Sequence, residues 1–447
     1  MARTFRSSFR PTASGPRAAP KEARLSARRL PVRPDLDQLK HQGKDLLRAL
    51  HAGEPAAITE LRQHHPDPIE PARAKLADAH LVLARSYQAA SWTRLSQAVR
   101  LADAIWRDDL AVVRDLVTKR PALLHEPVLI RADSNWGCPM AYAANLGRDR
   151  LIRFLHARGA LDFPAAIDRA ALQGQVATAV MLHEMAGRPA LGPGALDGPA
   201  YTLSATGTAL VLSLGARVVD DAHHRLAPVD VALETDSRNP EAKHAILELY
   251  VRHGLTLPDT PTMALHRGRI DLLEAHLARD PALLTRTFSH REIYPAEMGC
   301  GDPLNATVGT PLGGSTLLHL AVDYDEIEIA RWLLDRGMDV NARSRVATHG
   351  FGGHTALFNT VVSQPNFWMN HGARGPFVAP FTELLLAHGA DVAVRASLWK
   401  QMHPGYGDDT RHDYLDVTAL SWGRRFHARI FVSEPALRLI EAAGGSE

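Results

Sequence analysis

Cysteine is scarce in this chain: Cys138 and Cys300 are the only two among 447 residues, far apart and outside any Cys-x-x-Cys spacing. That argues against a disulfide framework or a cysteine zinc site, and it fits a reducing compartment. Lysine is scarce too, at Lys21, Lys40, Lys44, Lys75, Lys119, Lys243 and Lys400, so arginine supplies nearly all the positive charge. Neither sign is in excess: Lys plus Arg total 51 against 49 Asp plus Glu, a formal charge of +2. No whole-chain field is present to recruit nucleic acid or an anionic membrane, and any such contact would be local. The uncharged stretch 198–216 holds one Pro, three Gly, three Thr and two Ser, too polar for a membrane span. Gly-x-Ser-x-Gly, His-Glu-x-x-His, Walker and Rossmann glycine patterns are missing, which leaves catalysis and cofactor binding without a motif. What is there is ordinary for a folded chain, with 45% hydrophobic and 22% charged residues.

Residues 1–34 are rich in Arg, Ser, Ala and Pro, have Glu22 as their one acidic residue, and show no sustained apolar periodicity. They are expected to form a disordered, removable tail. Its composition overlaps that of an organelle transit peptide, but Phe5 and Phe9 alone do not make the amphipathic stretch such peptides need, and no secretory apolar core is seen. From Asp35 the pattern changes. Leu36, Leu39, Gly43, Leu46, Leu47 and Leu50 recur at helical spacing, further helices follow, and Ser91 is placed to cap one carrying Trp92, Leu95 and Val99. Ala84, Arg85, Tyr87, Ser91, Trp92 and Leu95 together resemble a leader found ahead of ankyrin arrays in bacterial proteins. Residues 35–100 are accordingly expected to be a helical cap, with Tyr87 and Trp92 as core aromatics.

After position 101 one theme returns: a short turn, an Ala-rich helix, a break, and a Leu-rich helix ending at Gly. The clearest copy, 314–343, resembles the ankyrin consensus through Thr316, Leu318, His319, Ala321, Leu333, Leu334, Gly337, Asp339 and Asn341. The resemblance implies a structural role for His319, hydrogen bonded to Thr316 at the first turn of the inner helix. Gly337 suits the left-handed helix end. Weaker copies at 136–160 and 354–392, with six degenerate ones, make about nine repeats across 101–447, more than the ~3 a solenoid needs. The expected fold is therefore all-α: an ankyrin-repeat α-solenoid with an N-terminal helical cap and long loop insertions in its C-terminal half.

Those insertions, 285–313, 344–353, 364–380 and 395–416, break the repeat rhythm. The resemblance implies that the first, second and fourth project as hairpin fingers beside the inner helices, while the third interrupts a repeat between its two helices. Aromatic residues in loops mean burial or binding, so Phe367, Trp368 and Phe377 in the third insertion, with Trp399, His403 and Tyr406 in the fourth, are the candidate partner-binding residues. The insertions bind a partner or roof imperfect repeats. The same regions supply His290, Glu292, Cys300 and Asp302, then His403, Asp408, Asp409, His412 and Asp413, from which an enzyme or metal-dependent small-molecule site would have to be built. The function expected first is a cytoplasmic, non-enzymatic scaffold or adaptor for a protein partner, with no cofactor, no metal and no nucleic-acid or membrane partner.

Overall fold

The computed structural model describes residues 28–131, 134–192, 194–235, 237–301, 309–362, 378–402 and 410–447. The chain divides into two compact units, Met1–Ala190 and Leu191–Glu447. No described helix is long and apolar enough to cross a membrane.

The first unit opens with α1 (Leu36–His51), α2 (Pro55–His64) and α3 (Leu76–Ser86). Asp35 starts α1 by accepting the backbone N–H groups of Asp37 and Gln38, two of the donors that a helix start leaves without partners. Leu46 and Leu50 then meet Ala57, Leu61, Ala74, Ala79 and Val82 in one buried cluster. Gly43 permits the close approach of α1 to α3: a Cβ there would lie 2.5 Å from Cδ2 of His80. That imidazole lies flat on Trp92, centroids 4.0 Å apart, while Tyr87 is buried with its hydroxyl toward Gln42.

Three helix pairs follow: α4 (Trp92–Trp106) with α5 (Leu110–Lys119), α6 (Pro139–Asn145) with α7 (Asp149–Ala157), and α8 (Phe163–Leu172) with α9 (Val176–Met185). The inner helices α4, α6 and α8 pack in succession, each covering a face its neighbour leaves apolar. Because α4 begins at Trp92, the capping block and the first repeat share one helix.

The end of the expected tail is a correction. Residues 28–34 have no helix but are held on the first unit: Leu30 and Pro34 are buried, and Arg28 donates its N–H to the Ser86 carbonyl and pairs with Glu60. The Tyr142 hydroxyl donates to the Val32 carbonyl, and Arg33 lies over Trp106, 5.5 Å from the ring centroid. Residues 1–27 lie outside the described residues.

In the second unit the pairs are α10 (Asp197–Tyr201) with α11 (Ala205–Ser213), α12 (Val229–Glu234) with α13 (Pro240–Arg252), and α14 (Pro261–His266) with α15 (Ile270–Arg279). After the short α16 (His290–Ile293) come α17 (Leu317–Asp323) with α18 (Ile327–Asp335), α19 (Ala356–Val361) with α20 (Pro380–Ala387), and α21 (Ala419–Arg425) with α22 (Glu434–Ala442). About nine repeats are expected from the sequence, and nine such helix pairs stand among the described residues. A left-handed residue recurs at the inner-to-outer break, at Asp108, Gly147, Gly174, Leu203, Gly268 and Asp325, and another after the outer helix, at Gly159, Gly215, Gly254, Gly337 and Gly389. The one sheet among the described residues is a hairpin in the fourth insertion, β1 (Ala396–Lys400) antiparallel to β2 (His412–Val417), with Leu398 opposite Tyr414.

Candidate partner-binding site

The second unit's inner helices are closed off by a hydrogen-bonded ladder. Thr316 caps α17, and Nδ1 of His319 accepts the Thr316 hydroxyl at 2.9 Å. That leaves Nε2–H to donate to the carbonyl of His354, 3.0 Å away in the next repeat. His354 repeats the arrangement, accepting the Ser344 hydroxyl and donating to the Pro311 carbonyl. Burial pushes His319 down to about 4 and His354 to about 3, so both rings are neutral and both nitrogens of each are used. His319 is a structural residue that ties one repeat to the next.

Beside it lies a buried ionic cluster. Arg238 pairs with Asp323 at 2.9 Å and Lys243 with Glu326 at 3.0 Å, and His244 also reaches Glu326. Both cations sit over the Tyr324 ring, at 4.4 and 4.3 Å from its centroid, and the Tyr324 hydroxyl bonds the Leu233 carbonyl and Tyr294. Burial holds Lys243 below its ordinary value against the pull of Glu326, and lowers Lys400 to about 8 against that of Asp323. Arg238 and Lys243 belong to the repeat of α12 and α13, Asp323 and Glu326 to that of α17 and α18, so the cluster joins repeats.

Every residue of α17 and of α19 is buried. Part of the cover is the end of the first insertion: Thr310 donates its N–H and hydroxyl to the Val362 carbonyl, and Trp422 on α21 donates its indole N–H to the Thr310 hydroxyl. Phe288, Ile293, Tyr294, Met298 and Leu312 of the same insertion are buried too. The described part of the first insertion thus roofs the repeats, a correction to the finger expected there. Its His290 is half-buried against Tyr294, and Glu292 is held by Arg286 and Ser289.

The second insertion and the paired strands of the fourth form fingers. Residues 344–354 form a hairpin closed by the hydrogen bond from Ser344 N–H to the His354 carbonyl, and positions 345–350 are all exposed. Neighbouring loops are stitched edge to edge: Phe288 pairs with Ser315, the Arg345 N–H bonds the Gly314 carbonyl, and the Gly352 N–H bonds the Ser397 carbonyl on β1. On this ribbon the guanidinium of Arg411 lies over two rings, Trp399 at 4.9 Å and Phe351 at 5.0 Å. Val346 and Leu415, on the same two fingers, are 57% and 61% exposed.

Of the residues singled out in the sequence, Trp399 is placed here, half-buried on β1 opposite Asp413. Phe367, Trp368, Phe377, His403 and Tyr406 lie outside the described residues, as do Asp302, Asp408 and Asp409. His412 stacks on His427, centroids 3.8 Å apart, and Asp413 pairs with Arg411. Among the described residues no three His, Cys, Asp or Glu side chains converge to hold a metal ion. Phe351 and Arg411 escaped notice because neither stands in a cluster of its own type; Arg343 and Arg345, alternating just past the Asp-x-Asn end of a repeat, were the signal for a charged finger.

Stacked helix pairs with left-handed breaks and hairpin fingers define a helical-repeat protein. Residues 313–345 match the family model described as Ankyrin repeat, the segment that carries Thr316, His319 and the first arginines of the finger. That segment is an ankyrin repeat. Among solved structures the chain is similar to the ankyrin repeat domain of human ASB11, at 17% identity and a TM-score of 0.25, over 69% of this chain and 99% of that one. A search of curated proteins finds no match.

Proposed function

We propose that the chain is a non-enzymatic scaffold or adaptor that binds a protein partner through the finger surface of its second unit. The observation that carries this reading is the stitched ribbon on which Arg411 rests over Trp399 and Phe351, with Val346 and Leu415 exposed on the same two fingers. Trp and Arg anchors surrounded by apolar contacts are the composition that dominates interface energy. The usual inner-helix groove is a poor rival here, since α17 and α19 leave no residue exposed. His403 and Tyr406 of the fourth insertion belong to the same proposal, whereas Phe367, Trp368 and Phe377 of the third need not join that patch: they would serve a different surface or roof their own repeat. An enzyme or metal-dependent small-molecule site in these insertions is the second reading, and it rests on the residues of 403–409 beside His412.

Affinity capture with the full chain and with Trp399→Ala/Phe351→Ala tests the proposal. Both residues are only half-buried, so melting should shift little while capture weakens tenfold or more, about 1.4 kcal/mol. A fall in melting temperature with capture intact would make the ribbon a roof and end the proposal.

A further inference from the structure

The ribbon also has a charge. Six exposed arginines stand on its loops: Arg286, Arg291, Arg343, Arg345, Arg395 and Arg411. Three of them have a carboxylate of their own, Arg286 with Glu292, Arg395 with Asp416 and Arg411 with Asp413. Arg291, Arg343 and Arg345 have none among the described residues. Two of these are aimed across loop boundaries: Arg345 donates to the Thr287 hydroxyl of the first insertion at 3.2 Å, and Arg343 to the Arg395 carbonyl at 3.2 Å. Their guanidinium groups therefore lie along the seams between loops, with none of their five N–H donors taken by a carboxylate among the described residues.

Resting on the docking role just proposed, we infer that the partner presents an extended acidic peptide segment, with carboxylates alternating with apolar side chains, along this ribbon. Arg343 and Arg345 would take carboxylates in forked, paired hydrogen bonds, and the exposed Val346 and Leu415 would take the side chains between them. Glu292, Asp413 and Asp416 favour this occupant over a nucleic acid. They interrupt the arginines with negative charge, which opposes an unbroken run of phosphates but accommodates a peptide whose charges are spaced. A chain of formal charge +2 also lacks the overall field that polyanion binding uses.

The test is fluorescence anisotropy with the full chain and three labelled probes: a dodecapeptide of alternating Glu and Val, the same peptide with Gln for Glu, and a single-stranded oligothymidylate. The Glu peptide should bind, and lose about tenfold in affinity between low salt and roughly 0.5 M salt as screening sets in. Arg343→Glu/Arg345→Glu should abolish that binding at unchanged melting temperature, and Arg343→Lys/Arg345→Lys should keep part of it. Equal binding of the Glu and Gln peptides, both lost in Trp399→Ala/Phe351→Ala, would leave the docking surface standing and overturn the acidic partner. So would tighter binding of the oligothymidylate, or no binding of the Glu peptide.

Discussion

The repeat at 314–343 and the one built from α10 and α11 are made of the same two helices, yet they hold themselves together differently. In the first, Thr316 and His319 close the inner helix and His319 then reaches into the following repeat, so one side chain sets both a local turn and a long-range join. In the second, α10 has five residues and buries only Pro199 and Ala200. Its Thr202 hydroxyl bonds back to the Gly198 carbonyl within the same turn, and Leu203 takes the left-handed break at φ +50. The consensus residues thus encode the joint between repeats, and a degenerate repeat relies on its neighbours' apolar faces instead.

The largest effect expected is at the ionic cluster behind the 314–343 repeat. Asp323→Asn leaves Arg238 buried without its counter-charge, which should cost ~3–5 kcal/mol in denaturant unfolding. Replacing both partners by apolar residues, Arg238→Met/Asp323→Leu, should cost less than the single change. A loss under about 1 kcal/mol for Asp323→Asn would mean that water reaches the pair and that this repeat is no better anchored than α10 and α11.

Next is the histidine joint. His319→Ala should lose about 1–3 kcal/mol, because the Thr316 hydroxyl and the His354 carbonyl are left in a buried site without their partner. The pH dependence follows from the depressed values. Both histidines are neutral in the folded chain and titrate near 6.5 when unfolded, so the unfolded state binds more protons as pH falls below that value. Their contribution is complete above pH 6.5 and is lost on the way down to about 4 for His319 and about 3 for His354. His319→Ala should flatten that part of the profile, and an unchanged slope would remove the joint from the account.

Smaller in free energy but direct is amide hydrogen exchange on the intact chain. Amides of α17 and α18 should exchange more slowly than those of α10 and α11, since sub-global opening favours the repeat with fewer buried contacts. The reverse order would break the comparison outright.

The pairs were legible because each needs small residues on one helix, Leu on the other and Gly at its end, a pattern that survives even without Thr and His. Periodicity does not register an extended strap. Leu30 and Pro34 anchor residues 28–34 on the first unit without any periodic pattern, so that segment read as tail, and Thr310 roofs α19 and α21 from a loop with no pattern at all. Nothing in the sequence marks Arg238, Lys243, Asp323 and Glu326 as buried, because a charged residue carries no sign of its partner until the repeats stack. Of the candidate site, Trp399 was legible as a loop aromatic, whereas its partners Phe351 and Arg411 come from two fingers whose stitching depends on backbone hydrogen bonds that any sequence can make.

The smallest effect separates conformational strain from burial at the break between inner and outer helices. Gly147, Gly174 and Gly268 take that left-handed place without cost, while Asp108 sits there at φ +57 and Leu203 at φ +50. Asp108 also has a buried carboxylate oxygen with no hydrogen bond, so Asp108→Gly removes strain and an unsatisfied acceptor together. It should stabilise the chain by roughly 0.5–1 kcal/mol, set against the added freedom of glycine in the unfolded state. Leu203 is only 3% exposed, so the same change there forfeits about 1.5–3 kcal/mol of burial for about 1 kcal/mol of relief. Thermal melting of the two variants should therefore move in opposite directions. If Leu203→Gly also raised the melting temperature, strain rather than burial would rule the degenerate repeat, and its reliance on neighbouring apolar faces would have to be abandoned.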